Sequence, residues 1–275
     1  MFPLPGGKSE GTFRAMTTKT EYAPGTPSWV DLQTTDPAAA RDFYSALFGW
    51  TFADSGDPSV PYWLAMLRDQ PVAGLGAQME DMKAAGAPPM WSTYVTVADA
   101  DATAGVIESS GGTIMSQPFD VMDVGRMAVA ADPTGAVFCT WQAKNHIGAG
   151  IVNEPGTMSW NELLTPDVDK AAAFYKQVFG WDANQLEMGP TKYTEFRLGG
   201  QPIAGGTNPP MEGIPPVWGV YFAVDDADAT VADAKGRGAS VLNEPMDIPP
   251  GRFAVLMDPQ GAAFNVIKLN PNPGG

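Results

Sequence analysis

One segment of the sequence occurs twice, 131 residues apart, and this repeat limits the folds that the chain can adopt. Residues 24–50 read PGTPSWVDLQTTDPAAARDFYSALFGW, and residues 155–181 read PGTMSWNELLTPDVDKAAAFYKQVFGW. The two segments align without a gap, so chance is a poor explanation and the repeat has to be interpreted first. The repeat is as long as a domain, and the chain of 275 residues is therefore predicted to be a tandem duplication.

The duplication divides the chain into five predicted segments. They are a flexible leader at 1–23, a first domain at 24–142, a linker at 143–154, a second domain at 155–269 and a flexible tail at 270–275. Each domain reads as a strand, a helix and further strands, and then the same order again. This order favours an α+β fold in which four βαβββ units form two curved mixed sheets with helices outside.

Composition excludes several classes of function. The net charge of −15 and the pI near 4.3 disfavour binding to nucleic acid and to anionic membrane surfaces. No apolar run approaches the length of a transmembrane helix, and the single cysteine fits a reducing cytoplasm. The only histidine, His146, falls in the predicted linker and is given no role.

Several short motifs point to a known family. They are the helix start at Asp36-Pro37, the helix end with Phe43-Tyr44 and Phe48-Gly49-Trp50, and the late Asp-Pro-x-Gly turns at Asp132 and Asp258. With these motifs the chain resembles the vicinal oxygen chelate superfamily, which includes glyoxalase I, extradiol dioxygenases, and fosfomycin- and bleomycin-resistance proteins. The resemblance is greatest to its two-domain glyoxalase-like or hydroxylase branch, some members of which belong to antibiotic pathways.

The resemblance also indicates where metal-binding members of the family would carry ligands. In the two copies these positions hold Trp29 and Trp160, the glycine-bearing stretches 74–77 and 205–207, Ser92 and Gly219, and Cys139 and Asn265. Divalent metals need three or four nitrogen, oxygen or thiolate ligands, which these residues do not supply. We therefore predict no metal and no cofactor, and interpret Cys139 as a buried apolar filler.

Strand alternation places an aromatic set with few polar groups on the face that the metal ligands would occupy. The predicted ligand-binding residues are Trp29, Asp31, Ser92, Tyr94, Cys139, Trp141, Trp160, Glu162, Tyr221 and Asn265. Such a composition is typical of an apolar pocket with a few oriented hydrogen bonds. Asp31 and Glu162 are either structural carboxylates, acceptors for a ligand, or acid/base groups.

The leading hypothesis is a metal-free protein that binds a planar aromatic or hydrophobic small molecule. By resemblance, this would be sequestration of an antibiotic or secondary metabolite. The alternative is a glyoxalase-like lyase, isomerase or hydroxylase that uses Asp31 or Glu162 as acid/base. A third hypothesis is a module that assists a biosynthetic enzyme by taking its product. We expect a cytoplasmic monomer with an internal pseudo-twofold axis, with a dimer as the alternative.

Overall fold

The computed structural model describes residues 18–56, 61–84, 86–188 and 191–271. The remainder of the predicted leader and tail lies outside the described residues. The strands of the first copy are β1 Pro27–Thr34, β2 Thr51–Asp54, β3 Tyr62–Leu67, β4 Gln70–Ala77, β5 Met90–Thr96, β6 Thr113–Val121, β7 Gly125–Ala131 and β8 Val137–Ala143. Its helices are α1 Pro37–Phe48, α2 Glu80–Ala84 and α3 Ala100–Ser109.

The second copy repeats this order without a counterpart of α2 among its described residues. Its strands are β9 Met158–Leu164, β10 Asp182–Met188, β11 Thr191–Leu198, β12 Gln201–Thr207, β13 Val217–Ala223, β14 Ser240–Ile248, β15 Gly251–Met257 and β16 Ala263–Leu269. Its helices are α4 Val168–Phe179 and α5 Ala227–Gly236. None of the helices described is long and apolar enough to cross a bilayer.

Each copy forms one mixed sheet of eight strands. The orders are β2-β3-β4-β1-β5-β8-β7-β6 and β10-β11-β12-β9-β13-β16-β15-β14. The two βαβββ units of a copy join through an antiparallel pair of central strands, β1 with β5 and β9 with β13. The predicted tandem duplication with two mixed sheets is confirmed.

Equivalent sequence signals begin and end the two longest helices. The Asp36 side chain accepts a hydrogen bond from the backbone N–H of Ala39, and Asp167 does the same for Lys170, each at 3.0 Å. A glycine in the left-handed conformation follows each helix, since Gly49 has φ 72° and Gly180 has φ 74°. These are the preferred residues for a helix start and a helix end, which is why these helices could be predicted.

Aromatic side chains of α1 and α4 pack on the sheet of the other copy. Phe48 of α1 lies 5.1 Å from Phe222 of β13, measured between ring centroids, and Phe138 of β8 lies 5.8 Å from Phe179 of α4. Two apolar cores therefore exist, and each contains residues of both copies. The fold is reciprocal, with each copy covering the apolar face that the other exposes.

Hydrogen bonds between the copies join the motifs that the family shares. The hydroxyl of Tyr44 donates to Asp258 at 2.9 Å and accepts from the indole N–H of Trp91 at 3.1 Å. In the other direction Tyr175 donates to Asp132 at 3.0 Å. The second carboxylate oxygen of each aspartate accepts the backbone N–H groups of its own turn.

Three predictions about local structure are corrected. Residues 80–90, whose glycine and two prolines predict a loop, contain the short helix α2. The sequence does not predict the strands β2, β6, β10 and β14. All four lie at the edges of their sheets, and their sequences lack a clear alternation of apolar residues. Residues 18–22, expected in a flexible leader, are hydrogen-bonded to the linker. The backbone N–H of Lys19 donates to the carbonyl of Gly150, and the Tyr22 hydroxyl donates to the carbonyl of Ala149.

The tyrosine bridge between the copies generates a stability prediction. Tyr44→Phe removes the hydroxyl and leaves a buried indole N–H and a buried carboxylate oxygen without that partner. An unpaired buried polar group costs about 1–3 kcal/mol, so the unfolding free energy should fall by at least about 2 kcal/mol in urea denaturation. The control is Tyr22→Phe, which removes a single hydrogen bond from a partly exposed side chain and should cost less than half as much. Equal losses in the two variants would contradict this assignment.

Candidate functional site

The face of each sheet that carries Trp29 or Trp160 is called here the first or second inner face. On the first, Trp29 of β1 pairs with Tyr94 of β5, and Asp31 pairs with Ser92. Since residues two apart on a strand share a face, these four side chains lie together. The neighbouring strand β8 adds Cys139, whose register partner is Tyr94.

The second inner face has the same register. Trp160 of β9 pairs with Tyr221 of β13, and Glu162 pairs with Gly219. Asn265 of β16 continues the row as the partner of Tyr221. The residues predicted from strand alternation are thus brought together, in one set for each copy.

A hydrogen-bonded network connects the first set. The indole N–H of Trp29 donates to the Tyr62 hydroxyl at 3.1 Å, and this hydroxyl lies 3.4 Å from Oδ2 of Asp31. The Tyr94 hydroxyl donates to the same Oδ2 at 2.8 Å. Asp31 is 2% exposed, and its Oδ1 has no hydrogen-bond partner among the described residues. One carboxylate on the central strand is therefore held between two tyrosines.

The second copy repeats the network with a longer acid. The indole N–H of Trp160 donates to the Tyr193 hydroxyl at 2.9 Å, and the Tyr221 hydroxyl donates to Oε1 of Glu162 at 2.8 Å. Tyr193 also interacts with the Glu162 carboxylate. Glu162 and Trp160 are partly exposed here, whereas Asp31 and Trp29 are buried.

Tyr62 and Tyr193 are absent from the sequence-based site. Each follows its tryptophan by 33 residues, so the duplication itself carried a signal that they are equivalent. Their hydroxyls reach the carboxylates because the adjacent strand has glycine there, at Gly74 and Gly205. A Cβ atom at either glycine would overlap the tyrosine hydroxyl. The stretch that would hold a metal ligand is thus occupied by a phenol from the next strand.

His146 is a third residue of the site that the sequence did not predict. Its ring lies edge-on to Trp29, with centroids 4.6 Å apart, and 5.9 Å from Trp141. The indole N–H of Trp141 donates to the His146 carbonyl at 2.8 Å. The linker therefore lies against the first inner face, which no periodicity of its sequence could have indicated.

Burial sets the protonation of these groups. It raises the pKa of Asp31 to about 6, although the hydroxyls of Tyr94 and Tyr62 oppose the shift. It also raises the pKa of Glu162, again opposed by its two tyrosines, and raises that of the Cys139 thiol. Burial lowers the pKa of His146 to about 4, so its imidazole is neutral near neutral pH. Near neutral pH the first inner face therefore holds a neutral imidazole and a neutral thiol beside Asp31, which ionises at about pH 6.

The first inner face is filled by its own side chains, whereas the sequence predicts an open apolar pocket there. Trp29, Tyr94, Cys139 and Trp141 are all buried in one apolar core. Clefts of about 170 and 330 Å³ lie elsewhere, beside the start of α4 and between α1 and the turn after Asp258. The physical reason is the linker, which covers the space that alternation alone leaves open.

The residues present do not fit the divalent metal of the fold family. No group of three or more histidine, cysteine, aspartate or glutamate side chains in the described part of the chain could hold a metal ion. At the expected positions, Trp29 and Trp160 offer only N–H donors, and the amide nitrogen of Asn265 donates to the carbonyl of Val220. The buried, protonated Cys139 thiol is not a metal ligand.

Comparison with known proteins agrees with the fold. The sequence profile described as "Glyoxalase/Bleomycin resistance protein/Dioxygenase superfamily" matches residues 26–140 and 148–266. The chain is 48% identical to the "Putative glyoxylase CFP32" of Mycobacterium tuberculosis over 260 residues, which is 93% of this chain and 99% of that protein. It is 38% identical to the "Anthracycline biosynthesis protein DnrV" of Streptomyces peucetius, over 91% of this chain and 95% of that one.

Solved structures show a similar arrangement at low sequence identity. The Mn(II)-bound glyoxalase of Novosphingobium aromaticivorans aligns with a TM-score of 0.61 at 16% identity, over 91% of this chain and 88% of that one. The 2,3-dioxygenase LapB of Pseudomonas sp. KL28 aligns with a TM-score of 0.62 at 13% identity, over 95% and 96%. At such identities the likeness establishes the fold and not the chemistry.

The raised pKa of Asp31 predicts a pH dependence of stability. The folded protein keeps a proton on Asp31 up to about pH 6, whereas the unfolded chain releases it near pH 4. Stability that this group contributes at low pH is therefore lost as pH rises through that window. Asn at this position does not titrate, so Asp31→Asn should not show this loss. The unfolding free energy of the variant minus that of the wild type should therefore rise by up to about 3 kcal/mol between about pH 4 and pH 7. Urea denaturation at several pH values tests this, and parallel profiles would disprove it.

The donor set predicts that the protein does not take up a divalent metal. After equilibration with excess manganese, zinc, iron or nickel and removal of unbound ions, elemental analysis should find far less than one metal per chain. The melting temperature should be the same with and without each ion, since a ligand that binds only the folded state raises it. A stoichiometric metal that disappears in Cys139→Ala would refute this reading of the site.

Proposed function

The chain belongs to the glyoxalase/bleomycin resistance protein/dioxygenase superfamily, and within it we propose a metal-free protein that binds a planar, hydrophobic aromatic compound. The observation that supports this most is the replacement of a metal-ligand set by tryptophan, tyrosine and one carboxylate in both copies. Aromatic rings stack on planar ligands, and a carboxylate held by tyrosines can accept a hydrogen bond from one. Apolar lining with few polar groups is typical of small-molecule sites.

The relatives narrow the class of ligand that we propose. One relative is named as an anthracycline biosynthesis protein, and anthracyclines are planar polycyclic aromatic compounds. We therefore place the ligand of this chain among polycyclic aromatic secondary metabolites. Two roles fit a binding protein of this kind: sequestration of a toxic antibiotic, and removal of the product of a biosynthetic enzyme. Copurification with such an enzyme would favour the second role.

An acid/base enzyme is a second candidate, and one observation favours it. Glu162 is partly exposed, carries a raised pKa and lies between two tyrosine hydroxyls, which are features of a group that transfers protons. Asp31 also has a raised pKa and two tyrosine partners, but it is buried and cannot touch a substrate. Turnover that is lost in Glu162→Gln while ligand affinity is retained would establish the enzyme in place of the binding protein.

Tryptophan fluorescence provides the test of binding. Titration with 2-hydroxyanthraquinone should quench the emission saturably with a dissociation constant in the micromolar range or below, which corresponds to about 8 kcal/mol or more. Cholate serves as control, since it is a rigid ring system of similar size without aromatic rings, and it should not quench. The proposal fails if quenching by the anthraquinone and by a panel of other polycyclic aromatic compounds stays linear.

A further inference from the structure

The two inner faces differ in what covers them. On the first, Trp141 fills the space above Gly125, where a Cβ atom would overlap its ring, and the imidazole of His146 lies on Trp29. On the second, the position of Trp141 is taken by Ile267. Among the described residues, no aromatic or histidine ring stacks on Trp160 or lies edge-on to it, and Tyr193 meets it through its hydroxyl. The first face is thus closed by rings that the second lacks.

The linker that carries His146 is fastened along its length. The backbone N–H of His146 donates to the carbonyl of Val124, and that of Ala149 donates to the carbonyl of Ser28. Gly148 lies so close to the first strand that a Cβ atom would overlap the Ser28 carbonyl. The linker could expose the first inner face only if both of these hydrogen bonds were broken, so it covers that face stably.

The second face presents a partly exposed apolar wall. Phe253 of β15 lies 6.1 Å from Tyr221 with the rings tilted by 33°, and its cross-strand partner Met246 is 46% exposed. In the first copy this pair is exchanged, with Met127 at the position of Phe253 and Phe119, 43% exposed, opposite it. The faces differ in the tryptophan beside the pair, since Trp160 is partly exposed and Trp29 is buried. Gly219 stands where the first copy has Ser92, which removes one more side chain from this face.

The same face offers one strong acceptor. Oε1 of Glu162 accepts the Tyr221 hydroxyl at 2.8 Å, and Glu162 is partly exposed as a residue, whereas Asp31 is buried. Ionised carboxylates accept hydrogen bonds from hydroxyl groups more strongly than neutral acceptors do. A flat apolar wall beside a single carboxylate matches a planar ring that carries a hydroxyl group.

We propose that the second copy carries the single ligand site of the chain, bounded by Trp160, Glu162, Tyr221, Met246 and Phe253. Its ligand is a planar aromatic molecule with a hydroxyl group that donates to Glu162, while the first face, sealed by the linker, is structural. This inference rests on the proposed binding function and adds the location, the stoichiometry and the chemical class of the ligand.

Calorimetric titration with 2-hydroxyanthraquinone and with its methyl ether tests the location and the hydroxyl contact. One equivalent of the hydroxyl compound should bind per chain. Phe253→Ala should weaken its affinity about tenfold, whereas Met127→Ala at the equivalent position should leave it unchanged. Glu162→Gln should weaken the hydroxyl compound about tenfold and the methyl ether by less than about twofold, because only the first donates a proton.

The outcomes separate this inference from the proposed function. Binding of two equivalents, or a loss of affinity in Met127→Ala or Asp31→Asn that matches the loss in Phe253→Ala, would overturn the single second-copy site while binding itself stands. Equal effects of Glu162→Gln on both compounds would overturn the hydroxyl contact. Absence of binding by both compounds to the unaltered protein would overturn the proposed function as well. Circular dichroism of each variant shows that a lost affinity is not a lost fold.

Discussion

The hydroxyl of one buried tyrosine in each copy is the contact on which the architecture depends. Tyr44 connects an indole of its own copy to an aspartate in the late turn of the other, and Tyr175 mirrors the connection. That aspartate also accepts the backbone N–H groups of its turn, so the turn and the interface share one carboxylate. Since the helix aromatics pack across the same boundary, neither copy could bury its apolar surface alone.

This reciprocal packing buries the faces of the sheets opposite the inner faces. The inner faces carry a carboxylate on their central strand, Asp31 or Glu162, which has to be stabilised in a different way. A carboxylate buried there is costly unless it is protonated or hydrogen-bonded. The tyrosines of both networks meet that requirement, and the glycine at Gly74 or Gly205 makes room for one of them. The same hydroxyls lie where a metal ligand would be expected. The residues that stabilise the buried carboxylate therefore also leave no room for a metal ion.

The sequence predicts the parts of this arrangement that local patterns determine. Asp36 and Gly49 define a helix by capping alone, and strand alternation places Trp29 and Asp31 on one face. Alternation cannot say which strand lies beside which glycine, so Tyr62 was missed although it completes the network. The path of the linker is likewise a tertiary property, and His146 could be located only once the chain was folded. Likewise, the apolar face of α1 predicts burial but does not identify the other copy as its partner.

The asymmetry between the faces has a cause in the duplication itself. Two separate subunits related by a twofold axis would present two equal sites, but joining them requires a linker that leaves from the last strand of the first copy. That linker contacts the first inner face, where Trp141 and His146 close it, and no ring in the described part of the chain takes the place of His146 on the second face. The sealed face carries the shorter acid, Asp31, which is buried, whereas the second face carries the longer Glu162 and Phe253, which are both partly exposed. The linker thus accounts for a difference in exposure between two networks whose hydrogen bonds are otherwise equivalent.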